Sequence, residues 1–216
     1  MTDNNNQEMQ IINRYKLCII AIFIGSFFTG CNQKTFTSEE ALWGYMKEES
    51  SRYIQYKSVN GVNFSLTYRP TDLLVNQELR SNNASVMLID SLRNKYKKYM
   101  YFNLAMSINN QEVLTSMAGN KNKFGAMVNQ LAFGMAERVH LYTSKKDTIA
   151  MLDYIYPRMY GMSNSTNILL VYPRDKKIVE EEYINLSIED IGLFTGEISF
   201  KIPTTPLKNE PVLDFK

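Results

Sequence analysis

The chain has 216 residues, of which 44% are hydrophobic, and its formal net charge at pH 7 is +2. This length suits one ordinary domain that can bury a core, and the small net charge gives no indication of a nucleic-acid partner. Cys18 and Cys31 are the two cysteines and His140 is the one histidine, so the chain has too few ligands for a structural zinc site. We expect no metal and no other cofactor.

The N-terminal part of the chain has the character of an export signal. Arg14 and Lys16 precede an uncharged, mostly apolar run over residues 17–28. A run of about 12 residues is short for a transmembrane helix, which needs roughly 20, but it suits the hydrophobic part of a signal peptide. A short membrane anchor or a buried core helix is the alternative, although a core helix would not carry two basic residues directly before the run.

The stretch Phe28-Thr29-Gly30-Cys31 places a large apolar residue and two small residues before a cysteine. It resembles the lipobox of bacterial lipoproteins, with Phe28 where leucine is commoner. The resemblance implies cleavage before Cys31, thioether-linked diacylglycerol on its sulfur, and acylation of the new amino terminus by a fatty acid such as palmitate. We therefore predict a signal peptide over residues 1–30, a short tether over residues 31–36, and attachment to the membrane through the lipid on Cys31.

The same resemblance implies a location in the cell envelope. Asn32 is not the aspartate that favours retention in the inner membrane of some bacteria, so we expect an outer-membrane lipoprotein that faces the periplasm. Loss of Cys18 with the signal peptide and acylation of Cys31 would leave the mature chain without a thiol. The mature domain would then have to fold without disulfide bonds.

Four segments have helical patterns: residues 37–49, 71–79, 84–98 and 121–137. The first would begin with a capping box formed by Thr37 and Glu40. The second follows Pro70, which ends the preceding strand, and begins at Thr71 or Asp72. The fourth has weakly polar residues even on its back face, so we expect it to be well buried.

The remaining pattern is mostly that of strands. Residues 62–69 alternate strictly between apolar and polar and follow Asn60-Gly61, the preferred pair for a type I′ turn, so they predict a hairpin with residues 52–59. Further strands are predicted over residues 101–108, 138–143, 148–156, 167–172, 183–188 and 195–202. The last of these would place Phe194 on the same face as Ile198.

The residues after 202 predict an extended C-terminal tail, docked by Val212, Leu213 and Phe215. Helices in the first half and short alternating strands in the second favour an α+β fold. We expect an antiparallel sheet with about four helices, in a single domain over residues 37–216.

One segment has an unusually definite sequence, Tyr68-Arg69-Pro70-Thr71-Asp72-Leu73-Leu74-Val75-Asn76-Gln77-Glu78-Leu79. It resembles a segment of uncharacterised envelope lipoproteins of the Bacteroidota, over about the first half of the mature chain, and the resemblance implies no activity. A joint between a strand and a helix, with Asp72 at the helix start, explains these residues without a ligand.

No complete catalytic motif is present in the sequence. Glu137-Arg138-Val139-His140 is half of a di-iron carboxylate site, but that site needs a second histidine, so we predict a structural role for His140. The sequence has no Gly-x-Ser-x-Gly elbow and no phosphate-binding loop. We interpret the run Glu180-Glu181-Glu182 as solvated charge on a strand. A pair of carboxylates that converge only in space stays open, because sequence cannot show it.

The best candidate for a contact surface is the aromatic and cationic cluster of Tyr154, Tyr156, Arg158 and Tyr160, since Tyr and Arg are enriched at the energetic centres of interfaces. Packing at a sheet edge is the alternative role for these residues. We expect a lipid-anchored envelope protein that acts as a non-enzymatic interaction or assembly module and binds another envelope protein. Two alternatives stay open: an envelope glycan or peptidoglycan hydrolase with a carboxylate pair, and a carrier of a hydrophobic ligand.

Overall fold

A computed structural model describes residues 33–79, 85–159 and 161–215. The predicted signal peptide over residues 1–30, Cys31 and Tyr160 lie outside the described residues, so the predictions about them stay predictions. The described residues from Lys34 onward belong to one structural unit. Within the described ranges, no helix combines the length and the apolar character that crossing a bilayer would require.

The described residues contain six α-helices: α1 (Glu39–Lys47), α2 (Thr71–Leu79), α3 (Val86–Tyr96), α4 (Lys121–Asn129), α5 (Lys176–Glu180) and α6 (Thr205–Lys208). The first four have nine or more residues and confirm the four predicted helices. The N-cap of α1 is Ser38, whose Oγ accepts a hydrogen bond from the Ala41 amide at 3.1 Å. The predicted capping box with Thr37 is therefore wrong by one residue, because Thr and Ser are both good caps and stand side by side.

The fourth helical segment has the predicted length but not the predicted burial. After α4 it continues as a π-helix over Gln130–Gly134 and a 3₁₀ turn over Met135–Glu137. Met127, Leu131 and Met135 are buried, whereas the side chain of Phe133 is 76% exposed. Only one stripe of the segment faces the core, so the expectation that it is buried all round is wrong.

Twelve strands lie in the described residues: β1 (Thr35–Phe36), β2 (Ile54–Val59), β3 (Val62–Tyr68), β4 (Tyr99–Ile108), β5 (Gln111–Glu112), β6 (Val139–Thr143), β7 (Thr148–Ile149), β8 (Asp153–Ile155), β9 (Thr166–Pro173), β10 (Tyr183–Ile188), β11 (Ile198–Pro203) and β12 (Val212–Leu213). The larger sheet has the order β2-β3-β4-β9-β8, with β5 paired to the end of β4. The smaller sheet has the order β11-β10-β6-β7. Every pair in these two sheets is antiparallel, and β1 pairs with β12 in parallel.

The six-stranded and the four-stranded sheet share one hydrophobic core. Inward side chains from both sheets form a single buried cluster, with Phe102 and Leu170 from the larger sheet and Leu186 and Phe200 from the smaller one. The prediction of a mixed fold of helices and antiparallel strands is confirmed, and strand is the dominant element. The described strands divide among these two sheets and the short pair of β1 with β12, whereas we expected one sheet.

The predicted strand over residues 148–156 is split between the two sheets. Its beginning, β7, pairs with β6, but its end, β8, pairs with β9 in the other sheet. The residues between them, 150–152, carry the chain from one sheet to the other. Apolar alternation continues through such a crossing, which is why the sequence shows one strand.

The segment before β11 also differs from the prediction. Phe194 does not share the inward face of Ile198, because it lies outside the strand, with its side chain 80% exposed and a φ of 59°. The Asp190 carboxylate accepts hydrogen bonds from the Gly192 amide at 2.9 Å and the Leu193 amide at 2.7 Å, and these bonds fold the segment into a tight loop. Desolvation raises the pKa of Asp190, but the backbone hydrogen bonds outweigh it and the pKa is lowered.

Both ends of the predicted domain are more ordered than expected. Thr35 and Phe36, which we assigned to the tether, form β1. The tail after residue 202 contains α6 and β12 and is not wholly extended. Leu213 is buried and Phe215 packs against the core, so the predicted docking of the tail is confirmed.

Candidate functional site

The segment from Tyr68 to Leu79 holds a buried carboxylate at the start of α2. Asp72 is only 2% exposed. Arg93 of α3 donates hydrogen bonds to both carboxylate oxygens, with Nε at 2.9 Å from Oδ1 and Nη2 at 2.6 Å from Oδ2. The Leu213 amide donates to Oδ2 at 2.8 Å, and Arg93 Nη2 donates to the Leu213 carbonyl at 3.0 Å. The hydrogen bond to Asp72 raises the pKa of Arg93, and this charged, bidentate pair fixes β12 against α2 and α3.

A second buried carboxylate comes from the C-terminal segment. Glu210 is 7% exposed, and its Oε1 accepts hydrogen bonds from the Tyr68 hydroxyl and from Arg174 Nη1. The Thr71 amide donates to Oε2 at 3.0 Å. Burial, followed by the charge of Glu210, raises the pKa of Tyr68 well above its usual value. We call these two carboxylates with Arg93, Arg174 and Tyr68 the C-terminal lock.

Among the described residues, the void beside the C-terminal lock is too small for a substrate. It is lined by Tyr53, Tyr68, Phe102 and Leu207 and measures about 10 Å³, which is close to the space of a single water molecule. The charged groups of the lock bind each other and the backbone of the C-terminal segment. These contacts support the structural role expected of the Tyr68–Leu79 segment, and two of its partners, Glu210 and Leu213, lie more than a hundred residues away in the sequence.

A surface groove of about 1240 Å³ lies where β2 meets β11. We call it the seam groove. Its lining includes Lys47, Arg52, Tyr56, Glu182 and Lys201. The side chain of Tyr56 is 73% exposed, and Tyr and Arg are the residue types that most often anchor a partner.

Two strand edges border the seam groove. β2 is the first strand of the larger sheet and β11 the first of the smaller one, so in the described part of the chain each pairs along one side only. Gln55 Nε2 donates to the Lys201 carbonyl at 2.9 Å, so a side chain of β2 hydrogen-bonds a backbone acceptor of β11. Strand edges of this kind accept an added strand from another polypeptide.

A second groove, of about 830 Å³, contains the carboxylates of Asp147, Asp175 and Glu181. The Asp175 carboxylate is held at the N-terminus of α5 by the Lys177 amide at 2.8 Å. Glu181 accepts a hydrogen bond from Ser144. Glu180 ends α5 and β10 begins at Tyr183, so the run Glu180-Glu181-Glu182 is not a strand as predicted. Glu180 and Glu182 are exposed, as expected for solvated charges. Among the described residues, no three His, Cys, Asp or Glu side chains come together as a metal site would need.

His140 lies on the outer face of the smaller sheet and contacts Glu189. Its Nε2 is 2.9 Å from Glu189 Oε1, and Arg138 Nη1 is 2.6 Å from Oε2 of the same carboxylate. This supports the structural role predicted for His140. The hydrogen bond with His140, followed by that with Arg138, lowers the pKa of Glu189.

We expect the pKa of Glu189 in the folded protein to lie below the value of about 4.3 for a free glutamate side chain. Because the folded value is the lower one, the contribution of Glu189 to stability is complete above the unfolded pKa and is lost as the pH falls through the folded pKa. NMR titration of the side-chain carboxyl carbon measures the shift directly. His140→Ala should raise the pKa of Glu189 more than Arg138→Ala does, and the reverse order would contradict the assignment.

Three of the four predicted contact residues lie in the described part of the chain, and Tyr160 lies outside it. Tyr154 and Tyr156 are partly buried and pack against the core, whereas Arg158 is exposed. The side chains that face outward along β8 are Asp153 and Ile155. The strand edges of the seam groove were not predicted, because sequence alternation identifies strands without showing which ones end a sheet.

No family model matches the sequence, and no curated protein matches it. Among solved structures, the chain is similar to a DUF4426 family protein from Pseudomonas aeruginosa PAO1, with 7% sequence identity and a TM-score of 0.35. The similarity covers 70% of this chain and 94% of that chain. A likeness this distant adds nothing to the argument for function.

Proposed function

We propose that the protein is a lipid-anchored cell-envelope protein that binds another envelope protein and acts as a non-enzymatic interaction or assembly module. The observation that carries the proposal is the seam groove, which combines two strand edges with the exposed side chains of Arg52 and Tyr56. The sequence Phe28-Thr29-Gly30-Cys31 supports the anchor. In this proposal the protein faces the periplasm from the outer membrane.

The anchor would hold the domain close to the bilayer. β1 begins at Thr35, so the chain between Cys31 and Lys34 spans at most about 11 Å when fully extended. The mature protein would therefore be a single α+β domain at the membrane surface, with any protein partner in reach of the same membrane.

The proposal is tested by crosslinking in intact cells. A photo-crosslinking amino acid at Tyr56 is expected to capture one stoichiometric partner, identified after purification from detergent extract. The same amino acid at Phe133, which is 76% exposed against 73% for Tyr56, is the matched control and should capture none. Cys31→Ala should abolish the crosslink from position 56, whereas Cys18→Ala should leave it unchanged, because Cys18 would leave with the signal peptide.

Capture from neither position, with the protein lipidated and folded, would contradict the interaction module. An undiminished crosslink in the Cys31→Ala variant would contradict only the need for the lipid anchor. The two parts of the proposal are therefore separable in one experiment.

The hydrolase alternative has one observation in its favour, the carboxylates of Asp147, Asp175 and Glu181 in the second groove. A general acid needs a raised carboxyl pKa at neutral pH. The pKa values of the Glu78, Glu189 and Asp190 carboxyls are lowered, so these three groups do not supply such an acid. Release of soluble fragments from purified peptidoglycan would nevertheless favour the hydrolase over the interaction module.

The carrier alternative requires an apolar cavity of several hundred Å³. The void between the two sheets beside Phe102 and Ile202 is about 10 Å³. The two large grooves are open and have charged linings, so the described residues give the carrier no support.

A further inference from the structure

Four exposed lysines meet on two neighbouring segments of the domain. Lys97 and Lys98 lie between α3 and β4, and Lys176 and Lys177 begin α5. The Arg174 amide donates to the Lys98 carbonyl at 3.0 Å and joins the two segments. We call Lys97, Lys98, Lys176 and Lys177 the lysine patch.

Carboxylates also lie near the lysine patch, since Lys177 lines the second groove with Asp147 and Glu181. Asp175 directly precedes Lys176, and its carboxylate accepts a hydrogen bond from the Lys177 amide. Glu180, with a side chain 62% exposed, is 3.7 Å from Lys176, and an exposed pair at this distance is weak. Lys97, Lys98 and Lys177 form no ion pair with the described residues, so their charges are open to a partner.

The lysine patch lies at the end of the domain where the tether enters. Arg174, next to the patch in sequence, bonds to Glu210. Val212 follows Glu210 by two residues, which is at most about 7 Å of chain, and its amide donates to the Lys34 carbonyl at 2.9 Å. This chain of contacts, from Arg174 through Glu210 and Val212 to Lys34, therefore places the patch at the same end of the domain as the tether.

The opposite end of the domain lies along β4. This strand runs from Tyr99, next to Lys98, to Ile108, and its ten residues span about 30 Å. Ile108 pairs with Val62 of the hairpin and with Gln111 of β5. Ser58 in the hairpin therefore marks the end of the domain farthest from the tether.

We propose that the lysine patch binds the anionic headgroups of phospholipids and orients the domain on the membrane that holds its lipid. The inference rests on the proposed lipid anchor. Two observations favour a membrane as the occupant: the positive charge of the patch, and the short chain between Cys31 and Lys34. Surface potentials extend about one Debye length, roughly 10 Å at 0.1 M salt, and the short tether would keep the end of the domain that carries the patch near the headgroups.

The test uses the full lipoprotein in vesicles of phosphatidylcholine, with or without phosphatidylglycerol. A dye is attached to a single introduced cysteine, either Asn94→Cys near the patch or Ser58→Cys at the far end, and energy transfer to a labelled lipid headgroup is measured. The mature chain would offer no competing thiol, because Cys31 would carry the lipid. In vesicles with phosphatidylglycerol, transfer from position 94 should exceed transfer from position 58.

Three results are expected to follow from the electrostatic origin of this orientation. High salt should reduce the difference between the two positions to its value in vesicles of phosphatidylcholine alone, without any substitution in the patch. Charge reversal at all four lysines (K97E, K98E, K176E, K177E) should have the same effect at low salt. The control K121E/K123E, on the first turn of α4 where acidic residues suit the helix dipole, should leave the difference intact.

Equal transfer from both positions in the two kinds of vesicle would overturn the proposal, as would a difference that salt does not change. Failure of the anchor gives another result. A chain without lipid on Cys31 would have an unmodified N-terminal mass and would not float with vesicles of phosphatidylcholine alone. A lipidated chain with an inactive patch would float with both kinds of vesicle and show no preferred orientation.

Discussion

Replacing Glu210 by glutamine is expected to lower the free energy of unfolding by about 3–5 kcal/mol, the usual cost of removing one partner from a buried ion pair. The substitution keeps the shape of the side chain but leaves the guanidinium of Arg174, whose side chain is 17% exposed, without its counter-charge. It also takes a charged acceptor from Tyr68 and from the Thr71 amide. The loss should therefore exceed that of a surface pair several-fold.

Urea unfolding followed by circular dichroism measures this loss. Glu180→Gln is the matched control, because it removes a carboxylate from an exposed pair with Lys176 and should cost within about 0.5 kcal/mol. The double variant Glu210→Gln with Arg174→Met should recover part of the loss, since it removes the unpaired charge as well. Equal losses for Glu210→Gln and Glu180→Gln would show that the buried pair does not stabilise the fold.

Asp72→Asn is expected to lower the free energy of unfolding by a similar amount, about 3–5 kcal/mol, and to weaken the attachment of β12. The carboxylate of Asp72 holds Arg93 through two hydrogen bonds and the Leu213 amide through a third. An asparagine at this position cannot accept from all three donors, and its amide group would face the guanidinium of Arg93.

Hydrogen exchange locates the effect of Asp72→Asn. The amides of Val212 and Asp214 donate to the carbonyls of Lys34 and Phe36, so their exchange should accelerate more than that of the strands in the two large sheets. Asp90→Asn, an exposed position on α3, is the control and should leave these amides protected. Uniform acceleration across the whole domain would mean that β12 does not open separately.

The local elements of the fold were largely predictable from sequence because their causes are local. Asn60 and Gly61 both have positive φ, at 50° and 77°, as the predicted type I′ turn requires. The helix α2 begins directly after Pro70, at Thr71. In each of these places, the residues that determine the structure are neighbours in the chain.

The arrangement of the strands was not predictable in the same way. Alternation of apolar and polar residues shows which face of a strand is buried. The pattern is the same in either sheet, so β7 and β8 were predicted as one strand. The pairing of β1 with β12 joins residues from the two ends of the domain. No local pattern distinguishes such two-residue strands from a tether or a tail.

For the residues of the candidate sites, too, the sequence showed local causes and missed contacts between distant residues. From the sequence, Asp72 was assigned only to the start of a helix and Glu210 was not singled out, because the arginines that bind them are not neighbours in the chain. Tyr154 and Tyr156 were assigned to a contact surface by residue type, but their spacing of two carried the more useful signal. In a strand that spacing places both side chains on one face, and here that face packs against the core.

The parallel pair of β1 and β12 also has a consequence for the order of folding. β1 is the first described strand and β12 the last, so almost the entire chain must be synthesised before the two can pair. Contacts between such distant residues form late, because closing a long loop costs entropy that only the finished contacts offset. Until the last residues are available, β1 therefore has no strand partner. Closure of the domain would then coincide with completion of the chain.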